Sequence, residues 1–72
     1  MSETVIWTIY DRPADYPEHI VVRRWYVKQG HSWPGACELF DTLDEARSRL
    51  PRGLVNLRRK TEDDATIIES WI

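Results

Sequence analysis

His19-Ile20-Val21-Val22-Arg23-Arg24-Trp25-Tyr26-Val27-Lys28-Gln29 is the stretch that decides the fold. It is the longest run of β-branched and aromatic residues in the chain, and so reads as a strand. Successive strand side chains point to opposite faces. Ile20, Val22 and Tyr26 therefore face one way, and Val21, Trp25 and Val27 the other. Thr4–Tyr10 repeats the pattern, with Val5, Trp7 and Ile9 opposed to Ile6 and Tyr10. A strand that is apolar on both faces needs cover on both.

Outward from these two strands the chain is punctuated. Asp11–Glu18 holds Pro13 and Pro17 and reads as a loop, and Gly30–Gly35 with Pro34 reads as a turn. Ala36–Phe40 then returns as a short strand. Thr42 with Glu45 three residues on is a capping box, in which each side chain satisfies a backbone N–H of the first turn. Leu43, Ala46 and Leu50 follow as a narrow apolar stripe, and Pro51 and Gly53 stop the helix after two to three turns. Leu54–Arg59 and Thr66–Ile72 read as two further strands, joined by the polar loop Lys60–Ala65. The sum is βββαββ, a single α+β domain over 1–72: an antiparallel sheet of four to five strands with one short helix on one face.

A helix with a three-residue stripe shields only part of one sheet face. The second face must be covered by twist, by the proline loops with Tyr16 and Trp33, by a second copy of the chain, or by a different protein.

Composition narrows the function classes. The chain has 72 residues, 42% of them hydrophobic and 31% charged, which fits a globular domain and not a disordered or collagenous one. No apolar run approaches the roughly 20 residues of a membrane span. The N-terminal stretch lacks the basic and apolar regions of a signal peptide. The single cysteine, Cys37, cannot form an internal disulfide, and a lone thiol fits a reducing cytoplasm. Cytoplasmic location is the expectation.

Chemistry is sparse. His19, His31 and Cys37 lack the paired short spacings of a metal site, and Cys37 has no evident base for nucleophilic catalysis. Gly30, Gly35 and Gly53 match neither a dinucleotide nor a phosphate-loop pattern. Glu62-Asp63-Asp64 lacks the alternation and glycine of a calcium loop. No enzyme and no cofactor is expected.

Charge is segregated. The formal net charge is −2, yet 47–60 carries Arg47, Arg49, Arg52, Arg58, Arg59 and Lys60 with no acid, between acidic flanks. That basic segment could neutralise phosphates, and Arg23-Arg24-Trp25-Tyr26 mixes cations with stacking rings. Those arginines could equally stack on neighbouring tryptophans as cation–π pairs. A net negative chain is an unusual nucleic-acid binder. Trp, Tyr and Arg are the residues enriched at protein interfaces, which fits the inventory better. The candidate binding residues are Arg23, Trp25, Arg47, Arg49, Arg52, Arg58, Arg59, Lys60, Glu62, Asp63 and Asp64.

Several segments occur together in a recognisable order: Trp7-Thr8-Ile9-Tyr10-Asp11, Asp15-Tyr16-Pro17, Arg23-Arg24-Trp25, Asp41-Thr42-Leu43-Asp44-Glu45-Ala46-Arg47, Leu50-Pro51-Arg52-Gly53-Leu54 and Ile68-Glu69-Ser70-Trp71. In them the chain resembles small uncharacterised proteins of about this length from alphaproteobacteria and their phages. Some phage proteins of this size are anti-CRISPR proteins, which occupy the surface of a host nuclease complex. The resemblance implies a non-enzymatic, protein-binding inhibitor of a nucleic-acid-handling complex, and carries over no site residues. The alternatives are a nucleic-acid binder using 47–60 and a housekeeping homodimer whose sheet faces pair. No membrane partner is expected.

Overall fold

The computed structural model of the chain describes residues 3–57 and 65–72. Three strands follow one another as a meander: β1 (Thr4–Asp11), β2 (Ile20–Lys28) and β3 (His31–Phe40). Helix α1 (Leu43–Ser48) follows, and β4 (Ile67–Trp71) returns beside β1. The sheet is antiparallel with order β3-β2-β1-β4. This is the expected α+β architecture, with four strands and one short helix.

The β1–β2 register sets the two faces. Ile6 lies opposite Trp25, Thr8 opposite Arg23 and Tyr10 opposite Val21. On the other side Trp7 lies opposite Arg24 and Ile9 opposite Val22. The helix covers this second side. Its Ala46 is buried against Ile9, Ile20 and Val22, ringed by Trp7, Phe40, Leu43, Leu50, Ile68 and Trp71.

Three local readings change. The expected turn over Gly30–Gly35 contracts to Gln29-Gly30, with φ of 51° and 79°. Two positive-φ residues make a tight turn whose twist matches the flanking strands, so Lys28 pairs with His31 at once. β3 is consequently ten residues long. Pro34 is tolerated because β3 is an edge strand, where a missing N–H costs no ladder bond. A register shift between Arg23 and Trp25 places one extra residue on β3. Within it, Gly35 leaves room for the Tyr26 ring, which a Cβ would strike at Cε2.

The turn also yields a prediction. Glutamine is a poor occupant of the left-handed region, and asparagine tolerates it. Gln29→Asn is expected to raise stability by about 0.5 kcal/mol, read as a higher urea midpoint with an unchanged slope.

The helix is six residues long, shorter than the expected two to three turns. Thr42 caps it as foreseen: its hydroxyl accepts from the Glu45 N–H at 3.2 Å. Arg49 ends it, its N–H reaching back to the Ala46 carbonyl at 3.2 Å. The stretch read as a full strand from Leu54 joins β4 through a single bridge, Asn56 with Trp71. Backbone bonds from Val55 to Ile72 and from Leu57 to Ser70 flank it. The end of that stretch, Arg58 and Arg59, and the loop residues 60–64 lie outside the described residues.

Candidate docking face

The sheet face opposite the helix is built from alternate residues of every strand: Ile6, Thr8 and Tyr10 from β1, Val21, Arg23, Trp25 and Val27 from β2, with Cys37 and Leu39 of β3 beside them. Ser70 joins them from β4, its hydroxyl 3.4 Å from that of Thr8. At the sheet's far edge Asn56 turns toward Glu69 on the helix side. Alternation therefore puts Val55, Leu57 and Ile72 on the same side as Ser70.

Among the described residues, cover on this face comes from the loop over 12–19, at one end. The loop is folded by its own bonds, Tyr16 N–H to the Pro13 carbonyl at 2.9 Å and Arg12 N–H to the His19 carbonyl at 3.0 Å. It lies over Val21, which is buried. Cys37 Sγ donates to Tyr16 Oη at 3.9 Å. Hydrogen bonding with the Cys37 sulfur, and the repulsion its ionised form would exert on a phenolate, hold the Tyr16 phenol above its usual value. Beyond the loop, Ile6, Tyr10, Trp25 and Val27 are half-buried around Thr8, which is buried, and full exposure comes at the margins.

Its centre is a polar tie inside an apolar surface. Trp25 Nε1 donates to Tyr10 Oη at 3.1 Å. The pair separates two hollows. One, of about 400 Å³, lies toward Pro13, Asp15 and Arg23; the other, of about 530 Å³, lies toward Ile6, Val27 and His31. Exposure follows the same side. Among the described residues the large apolar side chains left exposed are Leu39 (43%), Val55 (61%), Leu57 (45%), Ile72 (41%) and Trp33 (41%). The first four belong to the open face. Trp33 lies opposite Tyr26 on the helix side, their ring centroids 6.3 Å apart.

Charge avoids the open face. Among the described strand residues Arg23 is the charged side chain there, with Asp15 of the loop 3.9 Å away at its rim. Glu38 and Glu69 alternate onto the helix side, opposite Val22 and Ile9.

The structure brings Arg23 and Trp25 together on the open face and sends the helical cations elsewhere. Arg47 Nε donates to Glu69 Oε1 at 2.7 Å, and Asn56 Nδ2 donates to Oε2 of the same carboxylate at 2.6 Å. Glu69 is 4% exposed. Arg49 Nε donates to Glu38 Oε2 at 2.8 Å. Arg52 is exposed in the turn after α1. Arg58, Arg59, Lys60, Glu62, Asp63 and Asp64 lie outside the described residues. Of the two arginines read as stacking partners, Arg24 does sit over Trp7, 5.4 Å from the ring centroid, while Arg23 turns toward Asp15.

Tyr10, Leu39, Val55, Leu57 and Ile72 were not singled out by their sequence. The signal for Tyr10 was present, since it alternates with Ile6 on the face left without a helix. The other four become neighbours only through register. Among the described residues no group of three His, Cys, Asp or Glu side chains is placed to hold a metal. No described helix is long and apolar enough to cross a membrane. Set against protein-family models, curated proteins and solved structures, the chain matches none.

Proposed function

We propose that the chain is a non-enzymatic protein-binding module whose contact surface is the open face of its sheet. One observation carries this reading: among the described residues, four of the five large exposed apolar side chains share the face that has no helix. Exposed apolar side chains gathered on one face mark a docking site, and between the two margins that carry them lie Trp25, Tyr10 and Arg23, the residue types that anchor interfaces. Strand addition at the β3 edge fits less well, because Pro34 and the bulge interrupt that edge. The resemblance to phage-type inhibitors supplies the partner class to try first, a host nucleic-acid-handling complex.

The test compares three immobilised proteins in a lysate of an alphaproteobacterial host: wild type, the Leu39→Glu/Val55→Glu double variant, and Trp33→Ala. The expected result is one set of proteins held by wild type and Trp33→Ala and lost from the double variant, with direct binding of the purified candidate following the same order. Equal retention on all three would contradict the reading.

A further inference from the structure

Resting on the reading of the open face as a docking surface, we propose that in the free protein its occupant is a second copy of this chain, packed face to face across a two-fold axis, which a host partner has to displace. Size is the first argument. With the bridged segment the face is about five chains wide and, outside the end that the loop at 12–19 covers, about five residues long, roughly 400 Å² in projection. Side-chain relief enlarges that area toward the roughly 600 Å² per partner at the low end of specific interfaces. An extended peptide would leave much of it bare.

Charge is the second. A two-fold interface meets its own copy, so the patch must complement itself. A strand face whose charge is Arg23, with Asp15 3.9 Å away, does so. A nucleic acid needs several cations to neutralise its phosphates, and the described strands place one here. Interfaces between identical chains are also poorer in charge and richer in apolar area than transient ones.

The third argument is the core. The buried apolar side chains of the described residues are Ile9, Ile20, Val21, Val22 and Ala46. Chains this short bury a small fraction of their surface, and association is a common remedy. Two stacked sheets about 10 Å apart interdigitate their inner side chains, and the hollows beside the Tyr10–Trp25 pair leave room for it.

Sedimentation of the full chain from micromolar to millimolar concentration tests this. A concentration-dependent dimer is expected. Leu39→Glu should weaken it by at least about tenfold, and Trp25→Glu by about a hundredfold. Trp33→Ala, on the other side, should leave it unchanged. Leu39 is exposed, so its variant stays informative if Trp25→Glu fails to fold. A monomer at every concentration overturns the proposal, as does a dimer that Leu39→Glu does not weaken. If a monomer still loses a different protein through the same variants, the docking reading stands and the second copy alone is rejected.

Discussion

Ile9→Ala is expected to cost about 3–4 kcal/mol, a large share of the stability of so short a chain. Ile9 is 0% exposed at the centre of the layer that α1 seals, in one cluster with Ile20, Val22 and Ala46. Truncation removes three carbons from water-free packing and leaves a cavity that the stiff strands around it cannot close. The total for a domain of this length is about 4–10 kcal/mol, so a substantial unfolded fraction is expected under mild denaturant. The contrast lies across the sheet. Leu39→Ala, on the open face, should cost under about 1 kcal/mol when the chain is held as a monomer by dilution. Urea unfolding of the two variants checks both values, and similar costs would mean that the two faces are buried alike.

Arg47→Ala carries the second large effect, about 2–3 kcal/mol. Glu69 is buried opposite Ile9, and its two carboxylate oxygens are met by Arg47 from the helix and Asn56 from the bridged segment. The carboxylate thus ties α1, β4 and the segment at 54–57 into one unit. Removing Arg47 strands a buried charge with Asn56 as the remaining partner that reaches it through the bonds described. Arg47 is itself half exposed, which discounts the Coulomb share of the pair. The desolvation of Glu69 is what makes the loss large. Glu69→Gln, which keeps the shape and removes the charge, should cost less than Arg47→Ala. A double-mutant cycle in urea reads this, and an Arg47→Ala cost below about 0.5 kcal/mol would contradict it.

The segmental grammar of this fold was legible because it is local. Thr42 announces the helix through its own hydroxyl and the Glu45 N–H three residues on. Alternation in Thr4–Tyr10 and in Ile20–Lys28 separates the two faces before any partner is known. The long β3 was hidden, because Gly30 to Gly35 with Pro34 looks like loop chemistry. It took an edge position and a two-residue turn to make a strand of it.

The site was half legible for the same reason. Arg23 and Trp25 are two apart on one strand, so they share a face by alternation alone. Arg47 and Arg49 read as part of a basic patch because their anions, Glu69 and Glu38, are distant in sequence. Leu39, Val55, Leu57 and Ile72 come from both margins of the sheet, and only the strand order gathers them. A short helix leaves one sheet face without a helical cover whatever the register, and the structure qualifies this: among the described residues the loop at 12–19 covers the Val21 end, and Thr8 is buried between half-buried neighbours at the centre.

Hydroxyl-radical footprinting, read residue by residue, addresses the open face most directly. In the dilute chain Leu39, Val55 and Leu57, each normalised to the intrinsic reactivity of its side chain, should be modified as readily as Trp33. On association they should become protected together with Trp25 and Tyr10, while Trp33 stays reactive. Protection of Leu39, Val55 and Leu57 already in the dilute chain, or protection of Trp33 in their place on association, would contradict the account.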